Sequence, residues 1–309
     1  MSKVKTFIKL LCYDREKILS AFFLNFNKTK LSHFITDKAM IKMQYRAVFG
    51  KKIDLNNPKS FNEKLQWLKL YDRNNEYIKL VDKFEVRSHI KNEIGEEYLI
   101  PLLGIWDNCE EIDYAGLPNQ FVLKCTHDSG SVLLCEDKQK FDFQKAKIKL
   151  EKSLNKNLFW HGREWPYKNV KPRIMAEAFM MDDKTTELRD YKFFCFNGKV
   201  KCVKIDFDRF KDHRANYYSV NGELLPFGEC ICPPDFNRKL EMPKNMDKMI
   251  ELAEKLSAKN SFLRVDFYEV NNKIYFGELT FFPASGFGPF TEEEWDYKLG
   301  EYLVLPNNK

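Results

Sequence analysis

The stretch that decides the fold is FLRVDFYEVNNKIYFGELT, residues 262–280, which has the pattern of two strands joined by a tight turn. Side chains alternate along a strand, so Arg264 and Asp266 share one face of the first strand, and Glu278 and Thr280 share one face of the second. Two carboxylates and a hydroxyl beside an arginine suit a hard cation with a phosphate ligand. A simple cross-strand ion pair explains the same residues equally well.

The register of this hairpin decides whether the two carboxylates can meet. Local propensity favours a two-residue turn over 271–272, but that turn places Asp266 and Glu278 on opposite faces of the sheet. A three-residue connection over 271–273, or a bulge with the same effect, places the two carboxylates opposite each other. We predict this second register, with a three-residue connection.

Outward from the hairpin, the sequence predicts an α+β chain. Ser60, with Glu63 three residues later, has the capping-box spacing that starts a helix. Residues 117–180 have a β-β-α-β pattern, and the Asn-Gly pairs at 197–198 and 221–222 are typical of hairpin turns. We predict four parts, which are a helical N-terminal extension (1–56), an N-terminal lobe (57–116), an α+β subdomain (117–182) and a C-terminal α+β lobe (183–309).

Composition excludes several classes of protein. The 309 residues are 44% hydrophobic, which provides a core, and the net charge of +6 is spread among interleaved acids and bases, unlike the concentrated charge of a nucleic-acid binder. The eight cysteines include no C-x-x-C pair, which favours buried free thiols over disulfides or a metal site. Apolar runs near the N-terminus are too short for a signal peptide or a membrane span, so we expect a cytoplasmic protein.

Two further positions have the character of a binding site. Lys124 ends an apolar strand and leads into a loop of small polar residues, which could present backbone N–H groups to a phosphate. Glu177 lies inside an apolar strand, where a carboxylate needs a donor such as the amino group of adenine. A solvated lysine and an internal salt bridge are the respective alternatives. The common phosphate-loop and dinucleotide fingerprints are absent from the sequence.

In this order, the segments resemble the ATP-grasp superfamily, and more narrowly its TupA-like branch, found among polysaccharide and teichuronopeptide biosynthesis proteins. The resemblance covers roughly residues 45–305. The segments that carry it are NPKSFNEKLQW (57–67), VDK (81–83) with Arg87, LKCTHDSGS (123–131), REW (163–165), DYK (190–192) and FGELT (276–280).

The resemblance implies an ATP-grasp fold, in which two α+β lobes sandwich ATP, and it assigns nucleotide contacts. Residues 117–182 would form the nucleotide-binding subdomain with its phosphate loop. The implied contacts are the phosphate lysines Lys83 and Lys124, the covering-loop residues Thr126, Ser129, Gly130 and Ser131, the adenine hinge at Glu177, Phe179 and Met180, and Glu187 at the ribose.

The resemblance also implies a magnesium site in the C-terminal lobe. Asp266 and Glu278 match the metal carboxylates, whereas Thr280 stands where the superfamily commonly has asparagine. Lys192 and Arg264 match basic residues that meet phosphate or the acyl group. The phosphate loop departs from the usual pattern because Gly130 is its single glycine.

The implied function is an ATP-dependent carboxylate–amine ligase that uses ATP and Mg²⁺ and acts through an acyl phosphate. The implied substrates are a uronic acid of a surface polysaccharide or its precursor and an amino acid or small amine. Arg209, Arg214 and Asn216 are candidates to bind the carboxylate, although ordinary surface charges are equally frequent there. No nucleic acid is expected, and peripheral association with membrane-bound polysaccharide assembly enzymes stays open.

Two other functions compete with this interpretation. Asp206-Phe207-Asp208 is a D-x-D motif, which a glycosyltransferase uses to hold a metal and a sugar nucleotide. The single-glycine loop and Thr280 would also fit a non-catalytic nucleotide-binding assembly protein. A ligase releases ADP only with both co-substrates, a transferase ignores ATP, and a decayed site binds ATP without turnover.

Overall fold

Two antiparallel sheets form the frame of the protein in a computed structural model that describes residues 26, 29–182, 188–208, 212–238 and 240–306. The smaller sheet has the order β1-β4-β2-β3 and the larger has the order β7-β6-β5-β8-β9. The strands are β1 Leu102–Trp106, β2 Phe121–Cys125, β3 Leu133–Cys135, β4 Ile174–Ala178, β5 Asp190–Phe196, β6 Lys199–Phe207, β7 Arg214–Tyr218, β8 Phe262–Val270 and β9 Lys273–Thr280.

Helices surround both sheets. In the described ranges the α-helices are α1 Asp37–Phe49, α2 Phe61–Tyr71, α3 Glu76–Val81, α4 Val86–Glu93, α5 Phe143–Leu154, α6 Phe159–Gly162, α7 Met246–Ser257 and α8 Glu293–Tyr302. Short 3₁₀ turns occur at Lys30–Phe34, Glu96–Tyr98, Cys109–Glu111, Trp165–Asn169 and Pro283–Gly286. The mixed α+β class predicted from the sequence is confirmed. No described helix combines the length and the apolar character that crossing a bilayer would require.

Local sequence signals account for several element boundaries. The capping box at the start of α2 is present, with the Ser60 hydroxyl accepting from the Glu63 N–H and the Glu63 carboxylate accepting from the Ser60 N–H. The turn at 197–198 joins β5 to β6 as predicted. The sequence prediction missed β1 and α3, and the helix of the predicted β-β-α-β pattern is α5.

Apolar packing leaves one half of one face of the large sheet for polar side chains. Helix α7 packs on β5, β6 and β8, and Cys195 on β5 lies against the backbone of Ala253 in that helix. On the opposite face, Phe61 of α2 packs on aromatic rings that include Phe194 and Phe262. Beyond these rings the same face carries Lys192, which pairs across the strands with residues of β6 and β8. The candidate site occupies this polar half.

All the cysteines that the structure describes are free thiols. Six are buried, and Cys230 is exposed. This agrees with the expectation of reduced, buried cysteines, while Cys12 lies outside the described residues. The division into four parts stays a prediction.

Candidate active site

The two carboxylates of the decisive hairpin lie directly opposite each other. Strand pairing sets Asp266 against Glu278 and Arg264 against Thr280. The shared face is therefore confirmed, but the predicted three-residue connection is wrong. The turn has two residues, Asn271 and Asn272, both with positive φ angles of 50° and 61°.

A bulge in β9 reconciles the short turn with the shared face. Phe267 pairs with Phe276, and the next partners are Asp266 and Glu278, so that Gly277 is the extra residue. One extra residue exchanges the two faces of the strand beyond it. A Cβ atom on Gly277 would lie 3.1 Å from the carbonyl oxygen of Asp266, which explains why this position has no side chain.

Arg264 joins the two carboxylates. Its guanidinium binds Asp266 in a bidentate manner, with N–O distances of 2.7 and 2.6 Å, and donates to Glu278 Oε1 at 2.8 Å. The hydroxyl of Thr280 donates to the same oxygen of Glu278 at 3.1 Å. The ion-pair alternative is thus also realised, and the two acids share one cation.

The two acids differ in exposure to solvent and in pKa. The side chain of Asp266 is 2% exposed, and burial raises its pKa to about 6 although Arg264 and Lys192 oppose the change. The side chain of Glu278 is 42% exposed. Burial also acts to raise the pKa of Glu278, but Arg264 and then Lys83 outweigh it and lower that pKa to about 2. Glu278 is therefore the more acidic and the more accessible member of the pair.

Lys192 connects the hairpin to the rest of the polar face. Its ammonium contacts the carboxylate of Asp190 and lies 3.1 Å from Asp206 and 3.5 Å from Asp266. Burial opposes its charge, but Asp190, Asp266 and Asp206 together raise its pKa. Lys192 therefore stays cationic at the centre of three carboxylates, next to the predicted metal residues.

The D-x-D motif is divided between different partners. Asp206 contacts Lys192, whereas Asp208 leaves the strand with a φ of 52° and pairs with Arg238. Two aspartates that each neutralise a separate basic residue do not form a common metal site. This geometry gives the glycosyltransferase interpretation no support.

A second group of potential metal ligands includes Asp206, His213 and Cys232, whose ligand atoms lie within 4.8 Å of one another. Lys192 and Lys204 approach the same aspartate to 3.1 and 3.6 Å. Burial also raises the pKa of the Cys232 thiol to about 11, which disfavours the thiolate that a metal needs. Two ammonium groups at this distance favour a salt-bridge network here.

In the small sheet, Glu177 forms the internal salt bridge that was one of its two interpretations. Lys124 Nζ lies 2.5 Å from Glu177 Oε2, and Arg87 lies 3.2 Å from Glu177 Oε1. Lys124 is 15% exposed, so it is not the freely solvated strand-end lysine of the alternative. Phe179 and Met180 follow directly after β4, half-buried, at the predicted hinge position.

Lys83 lies between the predicted phosphate loop and the hairpin that carries Glu278. Its backbone N–H donates to the carbonyl of Thr126, and its ammonium donates to the carbonyl of Asp128 in the predicted phosphate loop. Burial lowers the pKa of Lys83, and this effect is opposed by the charge of Glu278 and reinforced by that of Lys124. Lys83 is therefore within electrostatic range of Lys124, the other predicted phosphate lysine, and of Glu278, a predicted metal ligand.

The predicted phosphate loop has a fixed base and an exposed tip. Ser131 accepts from the Cys125 N–H at 2.8 Å and donates to the Asp128 carboxylate at 2.5 Å. Ser129 and Gly130 are exposed, and Gly130 has a φ of 101° with open space around it. The tip is therefore free to contact a ligand without disturbing β2.

Tyr167 is a cleft residue that the sequence prediction missed. It lines a small cleft together with Lys83, Gly277 and Glu278. Burial, followed by the charge of Glu164, raises the pKa of its phenol, so that Tyr167 is a neutral hydrogen-bonding group. The REW segment immediately before it was the available signal.

Helix α2 holds the loop that follows β9 through a stripe of polar side chains. Asn62 donates to the Gly288 carbonyl at 3.1 Å, and Gln66 donates to the Gly286 carbonyl at 2.6 Å. Lys69 donates to the carbonyls of Ser285, at 2.6 Å, and Gly162, at 2.7 Å. The sequence analysis located the start of α2 from its capping box but missed this function.

The loop needs such support because its backbone is strained. Ala284, Ser285 and Gly286 have φ angles of 48°, 54° and 60°. A left-handed conformation costs a residue with a side chain about 1 to 2 kcal/mol. The hydrogen bonds from α2 offset part of this cost and fix the chain just beyond Thr280.

Of the remaining predicted site residues, the two that the structure describes, Arg214 and Asn216, are not brought together. Asn216 is on the face opposite Lys192, and its side-chain amide is occupied by the backbone of Asp235 at 2.8 and 2.9 Å. Arg214 pairs with Asp212 on the surface. Glu187 and Arg209 lie outside the described residues.

The fold, with its lysine pair and opposed carboxylates, belongs to the ATP-grasp class. Within that class, the chain belongs to the TupA-like ATP-grasp family, whose model matches residues 63–304. No curated protein matches the chain significantly.

Similar solved structures are ATP-grasp enzymes at low identity. One is a D-alanine–D-alanine ligase from Helicobacter pylori, with 15% identity, coverage of 80% of this chain and 70% of that chain, and a TM-score of 0.39. Another is an L-amino acid ligase from Bacillus licheniformis, with 13% identity, coverage of 85% and 55%, and a TM-score of 0.40. At these scores the family match alone establishes the class.

Proposed function

We propose that this protein is an ATP-dependent ligase that joins a carboxylate to an amine through an acyl phosphate. The observation that carries the proposal is the direct opposition of Asp266 and Glu278, bridged by Arg264. Lys83, which contacts the predicted phosphate loop, lies within the electrostatic reach of Glu278. Membership in the TupA-like ATP-grasp family supports a ligase of this superfamily.

The residues of the site fit ATP and Mg²⁺, which such a ligase uses. Lys83 and Lys124 would hold the phosphates of ATP, and the exposed tip at Ser129 and Gly130 would cover them. Glu278 is anionic and accessible, and its neighbours are the oxygen donors Asp266 and Thr280, a set that suits Mg²⁺. The metal would neutralise phosphate charge. Since Arg264 now occupies both carboxylates, it would have to release them when the metal binds.

The chemistry needs positioning and charge neutralisation more than a protein nucleophile. A carboxylate oxygen of the substrate accepts the γ-phosphoryl group and ADP leaves. The amine nitrogen then bonds to the acyl carbon, and phosphate departs with the electron pair of the broken C–O bond. Lys83 and Arg264 offset negative charge in both steps. The described cysteines agree with a reaction that needs no protein nucleophile. Most of them are buried, and burial raises the pKa of thiols such as those of Cys125 and Cys195.

For the substrates, we propose a uronic acid of a surface polysaccharide or its precursor, and an amino acid or small amine. This proposal rests on the resemblance described above. It is consistent with a protein that works in the cytoplasm, next to membrane-bound polysaccharide assembly enzymes. Arg214, which lies on the surface with Asp212, stays a candidate contact for the larger substrate.

A nucleotide-release assay tests the proposal. The purified protein is incubated with ATP, Mg²⁺ and a matrix of glucuronate and galacturonate against glycine, L-alanine, L-lysine and ethanolamine. We expect ADP and phosphate in a 1:1 ratio only when a carboxylate and an amine are both present. Release of UDP from a UDP-sugar without ATP would instead indicate a glycosyltransferase, and ATP binding without release in any combination would indicate a non-catalytic protein.

A further inference from the structure

Glu164 is a buried carboxylate that the proposed mechanism does not use. It is 8% exposed, and its Oε1 accepts a hydrogen bond of 2.5 Å from the hydroxyl of Ser285. Among the described residues, no lysine, arginine or histidine nitrogen lies within 4 Å of its carboxylate. The adjacent Arg163 points away, to Asp37 and the carbonyl of Ser32. A buried carboxylate without a close cation is costly, so this arrangement needs an explanation.

Lys69 has the charge that acts most strongly on Glu164, but its own hydrogen bonds go to backbone carbonyls. Its Nζ donates to the carbonyls of Gly162 and Ser285 and faces the ring of Phe287 at 4.4 Å. Burial lowers the pKa of Lys69 to about 7, and the charge of Glu164 opposes that change. Lys69 therefore holds the backbone at Gly162 and Ser285, and its Nζ makes no ion pair with the Glu164 carboxylate although its charge reaches it.

The backbone carbonyl of Glu164 accepts a hydrogen bond of 3.1 Å from the N–H of Tyr167, so Glu164 lies one turn from the cleft where the acyl group would react. Three residues further along the chain, Tyr167 lines that cleft together with Lys83 and Glu278. The charges of Glu278 and Arg264 both reach Glu164. Glu164 is fixed by Ser285, which lies in the loop after β9, five residues beyond Thr280. The carboxylate is therefore held near Arg264 while Arg264 itself pairs with Asp266 and Glu278.

We infer that Glu164 binds the ammonium group of the amine co-substrate, and that this co-substrate is a primary amine that is cationic at neutral pH. The inference rests on the proposed ligase function. The ammonium loses one proton to Glu164, which leaves a lone pair on nitrogen. That lone pair forms the C–N bond as the C–O bond to phosphate breaks, and phosphate keeps the bonding electrons. The nitrogen loses its second proton to solvent, and Glu164 returns its own proton to solvent.

The local environment suits this step. Burial raises the pKa of Glu164, so that its carboxylate is a better proton acceptor than a solvated glutamate. Ser285 keeps one oxygen fixed, and no described residue donates to Oε2, so this second oxygen can accept from a ligand. The strained turn at 284–286 and its hydrogen bonds to α2 hold Ser285 in this orientation.

Hydroxylamine separates amine binding from acyl phosphate formation. This nucleophile is uncharged near neutral pH, and it converts an acyl phosphate to a hydroxamate without needing an ammonium site. The test compares wild type, Glu164→Gln, Glu278→Gln and the surface control Glu251→Gln in the uronate–amine matrix and in hydroxylamine. Each protein is also checked by its melting temperature.

We expect Glu164→Gln to lose roughly 10- to 100-fold in kcat/KM for the amine, the loss of one charge-assisted hydrogen bond. Its rate of hydroxamate formation should stay within about twofold of wild type. Glu278→Gln should lose both reactions and Glu251→Gln neither. Ser285→Ala, which frees the Glu164 carboxylate, should reduce kcat/KM for the amine by a smaller factor and leave hydroxamate formation intact.

Three results would overturn the inference. Equal losses of amide and hydroxamate in Glu164→Gln would make the residue structural. Unchanged kcat/KM for the amine would remove it from the amine site. If wild type forms hydroxamate but amides arise only with uncharged nucleophiles, the cationic amine class is wrong. Failure of wild type to form hydroxamate or release ADP in any combination would contradict the proposed function itself, and the inference with it.

Discussion

Asp266 lies directly opposite Glu278 even though the turn that joins their strands has only two residues. The turn alone would have separated the two carboxylates, and the bulge at Gly277 restores their common face. The bulge therefore pairs the two acids, which a regular hairpin with a two-residue turn would have placed on opposite faces. Arg264 occupies this pair, which keeps two close carboxylates compatible with folding.

Substitution of Gly277 tests the role of the bulge. In Gly277→Ala, the new Cβ would lie 3.1 Å from a backbone oxygen and 3.2 Å from the ring of Tyr268, so the strand has to shift. We expect a loss of about 1 to 3 kcal/mol in the free energy of unfolding, measured by urea denaturation, and a marked loss of turnover. Lys273→Ala, at the exposed start of the same strand, is the control. Unchanged stability and turnover in Gly277→Ala would refute the requirement for the bulge.

Lys124 should contribute to ATP binding more than to folding. ATP with Mg²⁺ at about 100 times its Kd should stabilise the wild type by about 2.7 kcal/mol. Lys124→Ala should remove most of this stabilisation, because Arg87 still pairs with Glu177 and the fold persists. Thermal denaturation with and without ATP measures the effect, and Lys145→Ala on the surface of α5 is the control. Equal stabilisation of both variants by ATP would remove Lys124 from the nucleotide site.

Glu177 has a structural function in two ion pairs, and we propose a second function in adenine recognition. Since Glu177→Gln breaks two buried ion pairs, we expect a destabilisation of about 3 to 5 kcal/mol in urea denaturation. If the carboxylate also accepts from the adenine amino group, ATP binding should weaken more than GTP binding. An unchanged ratio of ATP to GTP affinity would leave Glu177 with the salt-bridge function only.

Lys69 should give stability a distinctive pH dependence. Its pKa falls from 10.5 to about 7 on folding. Between these values the unfolded chain binds a proton that the folded chain does not, so stability contributed by this group rises with pH from about 7 towards 10. Lys69→Met should flatten this rise in urea denaturation. The same slope in both proteins would show that Lys69 stays charged when buried.

Sequence reasoning succeeded where the determinants are local. The capping box at Ser60 and the Asn-Gly turn at 197–198 depend on neighbouring residues, and both are present. The hairpin at 262–280 shows the limit of local reasoning. Its two-residue turn follows local propensity, but the bulge in the pairing with β8 is what places Asp266 opposite Glu278.

The contacts around Glu164 could not be predicted from the sequence. Ser285 reaches Glu164 across 121 positions, and Lys69 reaches Ser285 across 216. Such contacts depend on how the lobes assemble, which periodicity does not specify. Motif comparison nevertheless selected the REW and NPKSFNEKLQW segments, and the structure supplies a physical reason for both.

The most direct test is a double-mutant cycle on Asp266 and Glu278. ADP release with both co-substrates, and the Mg²⁺-dependent stabilisation by ATP, are measured for Asp266→Asn, Glu278→Gln and the double variant. If the two carboxylates hold one metal ion, each single change should reduce turnover sharply, and the double variant should lose much less than the sum of the two losses. Independent, additive losses, or full Mg²⁺-dependent stabilisation by ATP in all three variants, would contradict the shared metal site.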